Sequence, residues 1–112
     1  MESARIALIG CGAPAATVVV ALRHLSLRPA LFIDADLAAA QRLARGAPVA
    51  AAPRQALDRF DAAIVTGVGT GCTAALHELA EARKNVLCAP EALAAAACAD
   101  PRFVACPSIF AP

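Results

Sequence analysis

The sequence has almost no net charge, no long apolar run and no closely spaced cysteine pairs. Its 112 residues carry a formal charge of +1, without the basic stripe typical of nucleic-acid binding. No apolar run approaches the ~20 residues of a membrane-spanning helix, so we expect neither a nucleic-acid nor a membrane partner. The cysteines are odd in number and lack metal-ligand spacing: Cys11, Cys72, Cys88, Cys98 and Cys106. We therefore predict no metal site and a reduced, cytoplasmic environment.

Alanine accounts for much of the apolar composition. Hydrophobic residues make up 60% of the chain, and 32 residues are alanine. Alanine buries little surface and forms helix readily, so this composition indicates a helix-rich α/β protein. The length suits one domain with its own core, and we expect residues 1–112 to form that single domain.

The most informative motif is a glycine turn. The strand predicted over Arg5–Ile9 leads directly into a Gly-x-Gly-x-x-Ala pattern, which precedes a helix-compatible stretch. In dinucleotide-binding folds the first glycine allows the tight turn, and the second lets the backbone approach a pyrophosphate. The third small residue lets the helix pack on the strand, while the free N–H groups of the helix face the phosphates. The predicted pyrophosphate-binding residues are Gly10, Cys11, Gly12, Ala13, Pro14 and Ala15. A purely structural tight turn is the alternative.

A second apolar run ends in an acid. The strand predicted over Ala30–Asp34 places Asp34 24 residues after Gly10, where a carboxylate would bind the adenosine ribose. An acid at this position favours NAD over NADP because it repels a 2′-phosphate. Asp34 could otherwise be an ordinary solvated residue at a strand end.

The rest of the chain alternates between predicted helices and strands. Helices are predicted over Ala13–Leu25, from an Asp36 cap to about Gly46, over Cys72–Arg83 and over Glu91–Cys98, with a short helical turn region at Pro53–Phe60. Further strands are predicted over Pro48–Ala51, Asp61–Thr66, Asn85–Cys88 and Arg102–Cys106. The run Thr17–Val20 is a poor helix former, but the need for a crossover between parallel strands favours a helix there. This pattern predicts a Rossmann-like, doubly wound parallel sheet in three layers, with five to six strands in the order 3-2-1-4-5-6.

The loop Thr66–Gly71 is a further candidate site, since ligands of open α/β sheets bind at the carboxyl ends of the strands. We predict that Thr66, Gly67 and Val68 approach the nicotinamide ribose, although glycines there equally suit a simple turn. His24 and His77 are interpreted as solvated. Catalytic residues stay unknown, because no nucleophile, base and orienting acid can be assembled from this sequence.

With these features in place, the chain resembles the N-terminal nucleotide-binding domain of Gfo/Idh/MocA oxidoreductases, from about Ala4 to Pro112. The sharpest similarity lies at Leu79–Cys88, which reads Leu-Ala-Glu-Ala-Arg-Lys-Asn-Val-Leu-Cys. It is similar to the family's helix ending in Ala-x-x-Ala-Gly-Lys-His-Val and the strand that follows. The resemblance implies an NAD(P)-binding domain of dehydrogenases or reductases of sugars and related carbonyl compounds. Their second domain supplies most of the substrate pocket.

The departures from this family concern the chemistry. The family's strand runs into Glu-Lys-Pro, with the lysine beside the nicotinamide, whereas this chain has Ala89-Pro90-Glu91. The family's proline and histidine in the loop after the fourth strand fall on Val68 and Cys72.

We therefore expect either a fragment or a minimal relative, whose substrate chemistry is completed by a missing domain or a partner protein. The sequence leaves open whether the chain forms a homo-oligomer. One alternative is a non-catalytic nucleotide sensor, as in the nucleotide-sensing domains of potassium-transport regulators, or a scaffold subunit. Another is a degenerate Rossmann domain that serves only as a protein-interaction surface.

Overall fold

A parallel sheet in the predicted strand order forms the centre of the protein. A computed structural model describes residues 5–67, 70–97 and 100–105. Within these residues the strands are β1 (Ile6–Ile9), β2 (Leu31–Ile33), β3 (Val49–Ala50), β4 (Ala62–Val65), β5 (Asn85–Cys88) and β6 (Phe103–Ala105). They lie in the order β3-β2-β1-β4-β5-β6, and every neighbouring pair is parallel. The predicted order is confirmed, and it places the topological switch point between β1 and β4.

Helices cover both faces of this sheet. In the described ranges they are α1 (Ala13–His24), α2 (Leu37–Ala44), α3 (Thr70–Glu81) and α4 (Pro90–Ala96), with short 3-10 turns at Pro53–Gln55 and Leu57–Arg59. One core cluster joins α1 and α2 to the sheet, and the other joins α3 and α4 to the opposite face. The predicted three-layer, doubly wound architecture is therefore confirmed.

The central strands β1, β2 and β4 are apolar throughout because both of their faces are buried. In β1, Ala7 and Ile9 pack with α3 and α4, whereas Leu8 between them packs with α1 and α2. Such continuous apolar runs are typical of parallel sheets covered on both sides. The alanines serve the same layers: Ala15 and Ala40 are fully buried against the sheet, so their helices approach it closely.

Local sequence signals explain the helix ends. Pro14 occupies the first turn of α1, where its missing N–H costs nothing. The helix then continues through Thr17–Val20, so the helical interpretation of that run is confirmed. Asp36 caps α2 by accepting a hydrogen bond from the Ala39 N–H at 3.2 Å.

Two predicted helices have different ends in the structure. The third begins at Thr70 rather than Cys72, because the first turn of a helix tolerates Gly71. The predicted loop Thr66–Gly71 is therefore shorter. The fourth runs over Pro90–Ala96, since the proline fits the first turn and Ala97 ends the helix with φ 50°. These ends and the other described boundaries all lie within two residues of the predicted ones. Val68, Cys98 and Cys106 lie outside the described residues.

Lys84 fixes the irregular segment between β3 and β4. Its Nζ donates hydrogen bonds to the backbone oxygens of Leu57 and Phe60, both at 2.7 Å. The same ammonium lies 4.9 Å from the centre of the Phe60 ring, which is fully buried. These contacts tie the second 3-10 turn to the segment that enters β5.

We expect Lys84→Met to lower the free energy of unfolding by about 2 kcal/mol, because two charge-assisted hydrogen bonds are lost while the aliphatic stem is kept. Urea unfolding monitored by circular dichroism measures this. Arg42→Met, at an exposed position of α2, is the control and should change stability by less than about 0.5 kcal/mol. Equal effects of the two substitutions would contradict this role of Lys84.

Candidate dinucleotide-binding site

The glycine turn between β1 and α1 meets the loop after β4 at the carboxyl edge of the sheet. Gly10 has φ +87°, a conformation that side chains rarely adopt. A Cβ on Gly10 would also lie 2.9 Å from the Thr66 Oγ1 and 3.5 Å from the Cys72 Sγ. The fold itself therefore requires glycine at position 10.

Thr66 locks these two loops together. Its buried hydroxyl donates to the Gly10 carbonyl oxygen at 2.7 Å, and its N–H donates to the Ile9 carbonyl oxygen at 2.9 Å. The Thr66 side chain is thus directed at the glycine turn. Gly67 follows in close contact with α3, since a Cβ there would lie 3.0 Å from the Cys72 Sγ. Of the predicted ribose neighbours, Val68 lies outside the described residues.

Gly12 differs from Gly10 in that its backbone does not demand glycine. Its φ is −85°, which any residue adopts, and Gly12 is exposed. Among the described atoms outside its immediate neighbours, a Cβ would meet only the Pro14 Cδ, at 3.9 Å. Packing therefore gives no reason for glycine at this position, and the space above its Cα is open.

Gly12 is also the N-cap of α1, and this helix start has no anionic side chain. Gly12 makes no side-chain cap, and the first turn contains no acid. The helix dipole leaves partial positive charge at such a terminus, which favours an anion. Ala13 begins the helix, and Ala15, fully buried, lets it pack against the sheet beneath. The predicted phosphate-binding residues therefore converge on one open helix start.

Asp34 lies immediately beside this turn. The Cys11 N–H donates to Asp34 Oδ2 and the Asp36 N–H donates to Asp34 Oδ1, both at 2.8 Å. The Gly10 N–H further donates to the Ile33 carbonyl oxygen at 2.9 Å, which joins the end of β2 to the turn. These bonds fix the plane of the carboxylate, and each oxygen keeps a second lone pair for a ligand.

Cys11 contributes its backbone to the site, while its side chain belongs to the core. The Sγ donates to the Ile33 carbonyl oxygen at 3.7 Å, among the residues packed under α1 and α2. Burial, together with the nearby charge of Asp34, raises the pKa of the Cys11 thiol to about 12. Burial likewise raises the pKa of Cys72, against the lowering effect of its hydrogen bond with the Gly67 backbone. Both thiols are neutral at physiological pH and behave as small apolar side chains.

A cavity of about 280 Å³ extends from Asp34 along α3. Its walls are mostly small side chains from the segment after β3 and from the first turns of α3. The main wall residues are Ala35, Ala51, Ala52, Pro53, Gly71, Ala74 and Ala75. Gly10 lines one side and Glu78 another, so the glycine turn opens into the same space. The described residues hold no group of three or more His, Cys, Asp or Glu side chains that could bind a metal ion.

Glu78 is the member of this site that sequence reasoning missed. The periodicity of the helix predicted over Cys72–Arg83 places Glu78 on its polar face, with Thr73, His77, Glu81 and Arg83, and indicates nothing further. In the structure Glu78 Oε1 accepts a hydrogen bond from the Arg54 N–H at 2.9 Å, and its side chain is 20% exposed. A contact between residues 24 positions apart leaves no local sequence signal. His24 and His77 are exposed, and neither lines the cavity.

The position of the family's lysine is occupied by Ala89, Pro90 and Glu91. Ala89 is buried after β5, and Glu91 is exposed in the first turn of α4. An acid at that position stabilises the start of the helix.

None of the helices in the described part of the chain has the length and apolar character needed to cross a membrane.

Comparison with known proteins finds its matches among solved structures. No family model matches the sequence, and no curated protein matches it. The WlbA dehydrogenase from Bordetella pertussis, solved with NADH and UDP-GlcNAcA, superposes with a TM-score of 0.70 at 21% identity. The match covers 81% of this chain and 30% of that one.

Two further dehydrogenases match in the same way. The WlbA dehydrogenase from Chromobacterium violaceum, also solved with NADH and UDP-GlcNAcA, has a TM-score of 0.66 at 25% identity over 84% of this chain and 32% of its own. A myo-inositol dehydrogenase from Corynebacterium glutamicum has a TM-score of 0.67 at 23% identity over 82% of this chain and 29% of its own. The chain thus spans about a third of the length of these enzymes and shares their fold. The resemblance to Gfo/Idh/MocA oxidoreductases is confirmed at the level of the fold.

The two glycines of the turn should respond differently to alanine. We expect Gly10→Ala to lower the free energy of unfolding by about 2 kcal/mol, because alanine is strained at positive φ and its Cβ contacts Thr66. Gly12→Ala should stay within about 0.5 kcal/mol of the parent, because its Cβ enters open space. Chemical unfolding of both variants tests this, and equal losses would contradict the distinction.

Proposed function

We propose that this chain is the NAD-binding domain of a Gfo/Idh/MocA-like oxidoreductase, with substrate chemistry completed outside these 112 residues. Gly12 carries the proposal. It is a glycine that neither backbone nor packing requires, placed at an uncapped helix start beside a fixed carboxylate. Solved structures that share the fold contain NADH, which supports the same cofactor here.

The residues present fit a dinucleotide from one end of the site to the other. The pyrophosphate binds over Gly12 at the N-terminus of α1, where a side chain would occupy its place. Asp34 accepts hydrogen bonds from the adenosine ribose hydroxyls through the lone pairs that Cys11 and Asp36 leave available. Its negative charge repels a 2′-phosphate, so NAD is preferred to NADP.

Thr66 and Gly67 border the path toward the nicotinamide. The Thr66 hydroxyl holds the loop after β4 against the Gly10 carbonyl. Gly67 has no side chain, and this allows the same loop to lie close to α3. We assign Thr66 and Gly67 to the nicotinamide ribose, and Val68 to the same ribose from its position in the sequence. Bound NAD supplies the hydride acceptor of a dehydrogenase, and the residues described here bind and orient it.

A second candidate function is nucleotide binding without turnover, as in a sensor or scaffold subunit. It is favoured by Ala89-Pro90-Glu91, which offers no lysine where the resembled family places one. Both candidates share the cofactor site and differ in whether a partner protein, a further domain or a second copy completes an active site. Cys11 and Cys72 are free thiols, and this supports a reducing, cytoplasmic location.

Gly12→Val is expected to abolish NAD binding while the domain stays folded. The branched side chain enters the space that the pyrophosphate must occupy, whereas its Cβ makes no close contact within the domain. Calorimetric titration with NAD measures binding, and circular dichroism checks the fold. Ala95→Val, at an exposed position of α4, is the matched control and should bind like the parent. If Gly12→Val bound NAD as tightly as the parent, the phosphate site would be wrong.

Asp34→Ala should narrow the preference of the chain for NAD over NADP. We expect NAD binding to weaken by about 1–3 kcal/mol through loss of charge-assisted hydrogen bonds, and NADP binding to improve as repulsion is relieved. Titrations of the parent and the variant with both nucleotides give the ratio of NAD affinity to NADP affinity for each protein. Asp58→Ala, on an exposed 3-10 turn, is the control. A parent chain that preferred NADP would refute the role of Asp34.

The isolated chain is expected not to turn over a substrate. Hydride transfer requires a proton donor or acceptor within hydrogen-bond reach of the reacting oxygen, and Ala89-Pro90-Glu91 presents only an exposed acid at a helix start. Nicotinamide absorbance should stay constant when the chain and NAD meet a panel of sugars, polyols and imines. Steady turnover that disappeared in Glu91→Gln would make Glu91 the acid/base. Turnover only after addition of a second protein would identify a split enzyme.

A further inference from the structure

We propose that Glu78 selects the base of the dinucleotide, by accepting a hydrogen bond from the exocyclic amino group of adenine. This inference rests on the proposed function and deepens it. It starts from the cavity of about 280 Å³, which is close to the lower end of the ~300–1,000 Å³ range of small-molecule pockets. Such a volume suits one part of a dinucleotide, a base with its ribose.

The cavity is lined mostly by apolar groups. One wall is the segment Ala51–Pro53 after β3, and the other is the face of α3 that presents Gly71, Ala74 and Ala75. Positions 71, 74, 75 and 78 share one face of a helix. The methyl and methylene groups of these walls suit contact with the faces of a flat aromatic base.

Two acids line this cavity at different places. Asp34 lies at the glycine turn, where the ribose binds in the proposed function. Glu78 lies about 10 Å further along α3 than Gly71, since a helix rises about 1.5 Å per residue over seven residues. Because Asp34 and Glu78 line the same cavity, a base that is attached to a ribose at Asp34 and bound in this cavity lies beside Glu78.

The Glu78 carboxylate is held in place before a ligand arrives. Oε1 accepts the Arg54 N–H at 2.9 Å, and Oε2 lies 3.9 Å from the Arg54 guanidinium Nη1. The guanidinium side is exposed at 72%, so this ion pair is weak, and the backbone hydrogen bond fixes the orientation. An ionised carboxylate only accepts hydrogen bonds. Glu78 thus favours a base with an amino donor and repels one with a carbonyl oxygen at the same place.

Comparison of NAD with nicotinamide hypoxanthine dinucleotide tests this without any mutation. The two differ in the exocyclic group, an amino donor in adenine and a carbonyl acceptor in hypoxanthine. We expect the unmodified chain to bind NAD about tenfold more tightly, the effect of one hydrogen bond to a charged group. Equal binding of both dinucleotides would refute the role of Glu78 while leaving the proposed function intact. Binding of neither would overturn both.

Glu78→Gln separates base selection from a merely structural role. Its amide oxygen can keep the Arg54 N–H, and its amide nitrogen then offers a donor to the cavity, so the preference should fall to near equality or reverse toward hypoxanthine. Glu81→Gln, exposed on the same helix, should keep the tenfold ratio. If Glu78→Gln weakened both dinucleotides by the same factor, Glu78 would only tie the 3-10 turn to α3, and the proposal would be wrong.

Discussion

The hydrogen bond from the Thr66 hydroxyl to the Gly10 carbonyl joins the two halves of the protein at the carboxyl edge of the sheet. β1 and β4 are neighbours, yet the chain leaves them toward opposite faces, so a crevice opens where they end. Gly10 turns sharply enough, at φ +87°, to present its carbonyl to Thr66 on one side. The adjoining Cys11 N–H then reaches Asp34 on the other side. The glycine turn, the acid and the loop after β4 are therefore one connected unit.

The glycines around this connection differ in whether the fold requires them. Gly10 and Gly67 have neighbours within about 3 Å of the place a Cβ would take, so packing accounts for both. Gly12 has ordinary backbone angles and open space above it. A motif match alone treats the glycines of the pattern as equivalent. The geometry assigns the turn to the first, and the proposed function assigns the approach of a phosphate to the second.

The sequence predicted the features that depend on local or periodic signals. The parallel sheet followed from the alternation of strands and helices, and its strand order followed from the Rossmann-like fold that the glycine turn indicates. The Asp36 cap followed from its place before a predicted helix. The cavity wall at Ala51–Pro53 and the bond from Arg54 to Glu78 were not predicted, because they depend on how a 3-10 turn packs against a distant helix.

Two places at the carboxyl edge of the sheet differ in how firmly their polar groups are held. Around Gly12 and Asp34 the polar groups are held by backbone hydrogen bonds of 2.8 Å, so little ordering is left for a ligand to impose. Glu91, after β5, is exposed in the first turn of a helix, and a group in that setting is solvated rather than positioned. Positioning of a proton donor accounts for much of acid–base catalysis, whereas binding needs only the fixed groups. The groups that the fold holds in place are therefore the ones to which the proposed function assigns binding.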